Sequence, residues 1–480
     1  MKKTELIFVP APGAGHLVST LEFAKRLLDQ DDQLLITLLL IKMPASLLFI
    51  DSYVKSLTAS QPRIQVIDLP EVEPPPMEIL LKSPEYYFCE FIESCLPHVK
   101  DMVSKILSSA ADSTTHHQVA GLVIDFFCVS MIDIANEAGL PSFIFLTSNA
   151  GFLGLMMHLP NRHQQISSSA YKMSDSDDEL LIPGIADPVS PRVLPIALFN
   201  EHGGYTSYVK LSQRFKDAKG IIVNTFAELE AYAVEYFVGD VDDHQTPAVY
   251  PVGPVLNLKS LPHPDLDLAQ WHKTMKWLDE QPQSSVVFLC FGSGSGSFSA
   301  LQVKELALGL EQSGDKFLWS IRVPPSTEFK NPEEMLPDGF LERVHGRGMI
   351  CGWTAQVEVL AHKAIGGFVS HCGWNSILES LWFGVPIVTF PIYAEQQLNA
   401  FRMVKELGLA VELRSDHRIG GDPVMADEIA RAVKSVMQSD DGGLRKRVQE
   451  MGDKARKAVM NGGSSFLSIR QFLNDIKGSA

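Results

Sequence analysis

Residues 353–396 read WTAQVEVLAHKAIGGFVSHCGWNSILESLWFGVPIVTFPIYAEQ, and this stretch decides the fold. It holds two short apolar strand candidates, Gly367 to Ser370 and Pro386 to Phe390, with a helix candidate between them that begins near Asn375. The turn His371-Cys372-Gly373-Trp374-Asn375-Ser376 therefore sits where a strand hands over to a helix. Backbone N–H groups at such a turn point outward at the positive end of the helix dipole, a setting that suits a phosphate. His371, Asn375 and Ser376 add side-chain donors there. Glu379 lies one turn further in, where a carboxylate can accept two ribose hydroxyls. Trp353, with Ala355 and Gln356 close behind it, offers a flat face for a base. Glu395 and Gln396 place polar groups where sugar hydroxyls would need them. An ordinary buried strand–helix–strand unit explains Phe368, Val369, Leu378, Leu381, Ile387 and Val388. It does not explain His371, Trp374, Asn375, Glu379, Glu395 and Gln396 together.

The stretch resembles the plant secondary-product glycosyltransferase box of the UDP-sugar-dependent family 1 glycosyltransferases. That resemblance implies an α/β protein of the GT-B arrangement, with two Rossmann-like domains whose parallel sheets face across a cleft. The first would bind the acceptor and the second the UDP-sugar. It also implies donor contacts from Trp353, Ala355, Gln356, His371, Gly373, Trp374, Asn375, Ser376, Glu379, Glu395 and Gln396.

Outside the box the chain alternates strand and helix, as a parallel sheet requires. Leu6 to Val9 reads as a strand, Pro10 to Gly15 as a tight turn, and Leu17 to Leu28 as a helix. Further strands are expected at Leu34–Ile41, Ile64–Leu69, Val119–Ile124, Ser142–Leu146 and Gly220–Asn224. In an open parallel sheet, ligands bind beyond the carboxyl ends of strands, so His16, Asp125 and Thr147 share one rim. Asn161 to Glu179 reads as a polar loop. A first domain over 1–253, a linker over 254–270, a second domain over 271–460 and a returning helix over 461–480 are expected. In the second domain Val286–Phe291 is a strand, and the turn Gly292 to Ser297 after it resembles the family's Gly-Ser turn at the diphosphate, with Ser293 as the serine chosen.

His16 is the general-base candidate, because an alcohol or phenol is a poor nucleophile until a base takes its proton. Asp125 could accept the imidazole's other N–H and fix its tautomer. The pair resembles the family's His–Asp dyad, and the resemblance places Thr147 with the donor residues. Gly15, Phe88, Phe91, Phe126, Phe199 and Tyr393 are the acceptor-side candidates. The apolar rim implies a lipophilic acceptor such as a flavonoid, another phenol or a triterpenoid. Gln396 accompanies UDP-glucose in the family.

The bulk numbers agree with a soluble two-domain enzyme. The chain has 480 residues, 45% hydrophobic and 20% charged. A net charge of −16 disfavours nucleic acid and anionic membrane, and any bound diphosphate must rely on local donors. The six cysteines are scattered in apolar runs, which suggests buried free thiols in a reducing compartment. Lys2 and Lys3 precede an apolar run that Pro10 and Pro12 interrupt, so it reads as a strand and not a signal peptide. A cytoplasmic monomer without stable membrane insertion is expected. No cofactor and no metal are expected: the triplets Asp175–Asp177, Asp240–Asp242 and Asp265–Asp267 lie in polar, turn-rich passages. Two other readings exist. A dinucleotide-dependent oxidoreductase would want a third glycine where Val18 stands. A non-catalytic sugar-nucleotide binder would lack His16 or Asp125, and both are present.

Overall fold

The structure is a computed structural model that describes residues 3–43, 54, 59–111, 117–165, 179–238, 247–259, 266–292, 298–323, 329, 331–418, 420–438 and 443–478. The chain divides into two units. One comprises Met1–Pro191, Ala197–Asn257 and Lys457–Ala480, and the other Arg192–Ile196 and Leu258–Arg456. The division falls at Asn257–Leu258, inside the 254–270 passage that reads as a linker. Arg192–Ile196 leaves the first unit's stretch of sequence to join the second. There Arg418 Nη2 donates to the carbonyls of Arg192 and Leu194, at 2.9 and 2.6 Å.

The first unit is built on a seven-stranded parallel sheet ordered β3-β2-β1-β4-β5-β6-β7. Its strands are β1 (Lys3–Val9), β2 (Leu34–Leu40), β3 (Ile64–Asp68), β4 (His117–Asp125), β5 (Ser142–Leu146), β6 (Gly220–Val223) and β7 (Ala248–Pro251). β7 is an addition to the sequence reading. It is four residues long, ends in a proline and lies at the sheet edge, where proline's missing N–H does no harm. Asn161 is likewise not a loop: the helix Ala150–Gln165 runs through it, with Pro160 inside. Residues 166–178 of that expected loop lie outside the described residues.

Helices close the sheet. In Ala14–Gln30, Leu17, Leu21, Phe23, Ala24, Leu27 and Leu28 form the buried stripe. The helix Ser464–Gly478 buries Ile469, Phe472, Leu473 and Ile476 in the same unit. Phe472 meets Phe143, Tyr250 and Phe23 at centroid distances of 5.0, 5.4 and 6.1 Å. A fully buried side chain of that kind contributes about 1.5–3 kcal/mol, and several such residues hold the terminal helix in place.

The second unit carries a six-stranded parallel sheet ordered β10-β9-β8-β11-β12-β13. Its strands are β8 (Val286–Cys290), β9 (Lys316–Ser320), β10 (Gly348–Cys351), β11 (Ile365–Ser370), β12 (Ile387–Thr389) and β13 (Ala410–Glu412). β13, three residues at the edge, is also new to the reading. In both sheets the strand order reverses between the first strand and the fourth. That reversal opens a crevice beyond the carboxyl ends, where ligands bind in open α/β sheets. All six cysteines are buried and none is bridged. Among the described residues, no helix is long and apolar enough to cross a membrane.

Candidate active site

In the first unit the reversal lies between β1 and β4. The helix Ala14–Gln30 follows β1 after a four-residue turn and starts three residues earlier than its apolar spacing suggests, so exposed Gly15 and half-buried His16 belong to its first turn. β4 ends at Asp125, which is 2% exposed. His16 Nδ1 lies 2.7 Å from Asp125 Oδ2. The other carboxylate oxygen accepts the backbone N–H of Phe127 at 2.9 Å, which fixes the aspartate's rotamer. A carboxylate only accepts, so the proton of this contact sits on Nδ1 and the lone pair on Nε2.

Thr147, just past β5, brings Oγ1 to 3.1 Å of the same Nδ1. The sequence reading places Thr147 with the donor residues; the structure places it on the imidazole. Helix position matters as well, since the positive end of the dipole disfavours an imidazolium.

The aromatic residues separate by packing. Phe126 is 5% exposed and stands 5.7 Å from the His16 ring as a buried wall. Phe127 is half-buried, 5.6 Å from His16, and meets half-buried Phe88 edge-on at 4.9 Å. Phe91 is fully buried and is a core residue, not an acceptor contact. Its helix, Pro84–Ser94, starts with Ser83 as cap and proline at the first position, and Phe91 is buried while its i−3 neighbour Phe88 is half-buried. Phe199 is half-buried at the end of the short turn Ile196–Phe199. Tyr393 lies in the second unit and is 36% exposed. Phe127 is missing from the sequence-based set; its adjacency to Asp125 is the signal that could have found it.

In the second unit the reversal lies between β8 and β11. His371 to Ser376 follow β11, Gly292 follows β8, Trp353 follows β10, and Glu395 follows β12. All these positions lie past carboxyl ends of one parallel sheet. Gly373 caps the helix Trp374–Phe383, which begins one residue before its sequence-based start. Two glycines enclose His371: a Cβ on Gly292 would come within 2.7 Å of His371 Nε2, and one on Gly373 within 2.6 Å. Gly292 also takes a left-handed φ of 60°. Burial lowers the His371 imidazole to about 4, against the raising effect of the Cys290 carbonyl. His371 is therefore an uncharged hydrogen-bonding group at neutral pH, and its buried Nδ1 has no hydrogen-bond partner among the described residues.

Cys372 holds a φ of 62°, unusual for a residue with a Cβ. Two hydrogen bonds brace it: its N–H donates to Ser370 Oγ at 3.1 Å, and its carbonyl accepts Asn399 Nδ2 at 3.0 Å. Strain of this kind persists where surrounding structure fixes it, often at a binding site.

Gln356 Nε2 donates to Glu379 Oε2 at 2.6 Å and to Ser376 Oγ at 2.9 Å. One amide thus orients both the carboxylate and the hydroxyl. Burial pushes the Glu379 carboxyl up to about 7, against the lowering effect of Gln356. Gln396 is 3% exposed, and its Oε1 accepts from the N–H groups of Ile392 and Tyr393 at 2.9 and 3.0 Å. Its carbonyl thus shapes the turn after β12, and its amide hydrogens are the part suited to a ligand. Trp374 is 5% exposed and Ala355 4%, so both are mainly packing elements of the rim. Trp353, Asn375 and Glu395 are half-buried. Ser293, with residues 294–297, lies outside the described residues, as do the triplets Asp175–Asp177 and Asp240–Asp242 and residue 265 of the third. Asp267 of that third triplet caps a helix by accepting the N–H groups of Ala269 and Gln270. Among the described residues, no group of three His, Cys, Asp or Glu side chains is placed to hold a metal ion.

Comparison with known proteins shows the family. Residues 250–441 match the family model described as UDP-glucoronosyl and UDP-glucosyl transferase. UDP-glycosyltransferase 71K2 of Pyrus communis is 55% identical, across 100% of this chain and 99% of that protein. Flavonol 3-O-glucosyltransferase UGT71C4 of Arabidopsis thaliana is 50% identical, across 99% and 98%. The crystal structure of Medicago truncatula UGT71G1 complexed with UDP-glucose superposes with a TM-score of 0.91 at 55% identity, covering 99% of this chain and 98% of that one. With relatives this similar over its whole length, the chain belongs to the plant family 1 UDP-glycosyltransferases and is a GT-B hexosyltransferase.

Proposed function

We propose that the chain is an inverting O-glucosyltransferase that moves glucose from UDP-glucose to a hydroxyl of a small lipophilic plant metabolite, releasing UDP and a β-glucoside. A flavonoid, another phenol or a triterpenoid is the acceptor class. The observation that carries this reading is the His16–Asp125 contact, with Thr147 on the same imidazole nitrogen.

In this reading His16 Nε2 takes the acceptor's hydroxyl proton as the oxygen attacks the anomeric carbon from the face opposite UDP. The new C–O bond forms as the bond to the diphosphate breaks, and the configuration inverts from α to β. Asp125 stabilises the imidazolium that appears. Trp353 would stack on the uracil, Glu379 would accept the ribose hydroxyls, and His371, Asn375, Ser376 and backbone N–H groups at the helix start would hold the diphosphate. Glu395 and the Gln396 amide would address the sugar, and half-buried Phe88 and Phe127 the acceptor. In this reading the reaction needs no metal ion or other cofactor. We also read the protein as a monomer of the cytoplasm, a compartment that keeps six buried thiols reduced.

Two assays test the reading. Purified protein is offered UDP-glucose with a panel of phenols, flavonoids and triterpenoids, and the anomeric configuration of each product is read by NMR. The same reaction is run after dialysis against EDTA. A β-glucoside formed at undiminished rate is expected. An α-glucoside would overturn inversion, and loss restored by magnesium or manganese would overturn metal independence.

A further inference from the structure

The box contributes almost no positive charge to the rim where a diphosphate would sit. Between Trp353 and Gln396 the one lysine or arginine is Lys363. It precedes β11, and its carbonyl pairs with the N–H of Ser284 ahead of β8, so it lies at the amino ends of the strands. His371 stands at the carboxyl ends but is uncharged at neutral pH. A diphosphate carries at least two negative charges, and the chain's own net charge opposes it.

We propose that Arg322, outside the box and outside the residue set above, is the cationic member of the donor site. It lies two residues beyond the end of β9, the strand that pairs with β8 through Leu289 and Trp319. Its Nη2 donates to the carbonyl of Gly292 at 2.9 Å. Gly292 is the left-handed turn residue against His371, so the guanidinium sits at the first residue of the turn beyond β8. Its Nε is buried without a hydrogen-bond partner among the described residues, an unused donor at a rim built to receive an anion. Arginine suits the place: it stays charged under all working conditions and can bond a carbonyl with one nitrogen while offering others to phosphate oxygens. Arg322 would thus do two things. It holds the Gly292 turn against His371, and it offsets the charge of the diphosphate, both before transfer and as UDP leaves.

The proposal rests on reading this rim as the diphosphate site, and the experiment separates the two. Binding of UDP and of uridine to the full chain is measured by calorimetry for wild type, Arg322→Gln and Arg322→Lys, each at several salt concentrations. Removing a charge-assisted contact should weaken UDP roughly tenfold to a hundredfold in the glutamine variant. Uridine, which has no phosphate, should bind within about twofold of wild type, and the salt dependence of UDP binding should flatten. Arg322→Lys should recover part of the UDP affinity. UDP binding unchanged in Arg322→Gln, or UDP and uridine weakened by the same factor, would overturn the role of Arg322. A wild-type chain that bound no UDP would overturn the site reading together with it.

Discussion

His16 Nδ1 and Asp125 Oδ2 lie 2.7 Å apart although 109 positions separate them in the chain. The parallel pairing of β1 with β4 creates this contact, because Val9 pairs with Ile124 and each chain end then turns toward the other. Asp125 is buried and His16 is partly exposed, as expected of a pair in which one member orients and the other reacts.

Replacing His16 with alanine should therefore remove most transfer and leave UDP binding intact. Loss of a general base costs about a hundredfold to ten-thousandfold. An acidic phenol, partly ionised already, should suffer less than an aliphatic alcohol. Steady-state rates on both acceptors, with UDP affinity by calorimetry, check this. Near-normal turnover of the aliphatic alcohol would refute the assignment.

Thr147 Oγ1 stands 3.1 Å from the His16 imidazole, and a role there predicts different kinetics from a role as a donor contact. A hydrogen bond of this kind is worth about 1 kcal/mol, so Thr147→Val should lower kcat by roughly threefold to tenfold. KM for the UDP-sugar should hardly change. A rise in that KM with kcat preserved would instead make Thr147 a donor contact.

Glu379 should give nucleotide binding a pH dependence. Its carboxyl is pushed from 4.5 to about 7, so between those values the folded chain keeps a proton that the unfolded chain has lost. Its contribution to stability is thus greatest below pH 4.5 and falls as pH rises through that window. A ribose held by the ionised carboxylate acts in the opposite sense: UDP affinity should rise about twofold to tenfold from pH 6 to 8, with proton release on binding. His371, held near 4, stays uncharged across this range and adds no slope. Calorimetry in buffers of differing protonation enthalpy measures both effects. Equal slopes for wild type and Glu379→Gln would exclude Glu379 as their source.

Donor choice should favour glucose. The Gln396 carbonyl is committed to the backbone of Ile392 and Tyr393, which fixes the direction of its amide hydrogens. Inverting one sugar hydroxyl would leave part of the Glu395–Gln396 pair unsatisfied, at a cost of about 1–3 kcal/mol. UDP-glucose should outcompete UDP-galactose at least about tenfold at equal concentration, with products separated by chromatography. UDP-glucuronate should be poor, since the box holds no arginine to pair with a buried carboxylate. Equal incorporation of glucose and galactose would remove Gln396 from that role.

Much of this was legible in the sequence, because parallel α/β units write themselves locally. A strand buried on both faces is a short apolar run, and its helix follows with a 3.6-residue stripe. Most of the thirteen strands follow from such runs. β7 and β13 do not: they are edge strands of four and three residues, too short for a pattern to form. The strand-end position of His16, Asp125, His371 and Glu395 is equally local, as is the turn chemistry at Gly292 and Gly373.

What the sequence left open depends on which side of an element meets another. Phe88 and Phe91 share a helix and a residue type, yet tertiary packing alone put Phe91 in the core and Phe88 against Phe127. Likewise, only the lateral order of strands brought Thr147 to His16, Gln356 to Glu379 and Arg322 to Gly292. Periodicity describes one segment at a time, whereas these contacts join segments far apart in the chain. The sequence by itself determined two Rossmann-like sheets and the turns at the carboxyl ends of their strands. The folded structure decided which side chains stand behind those turns, because burial, tautomer and charge at a site are properties of neighbours that no single segment contains.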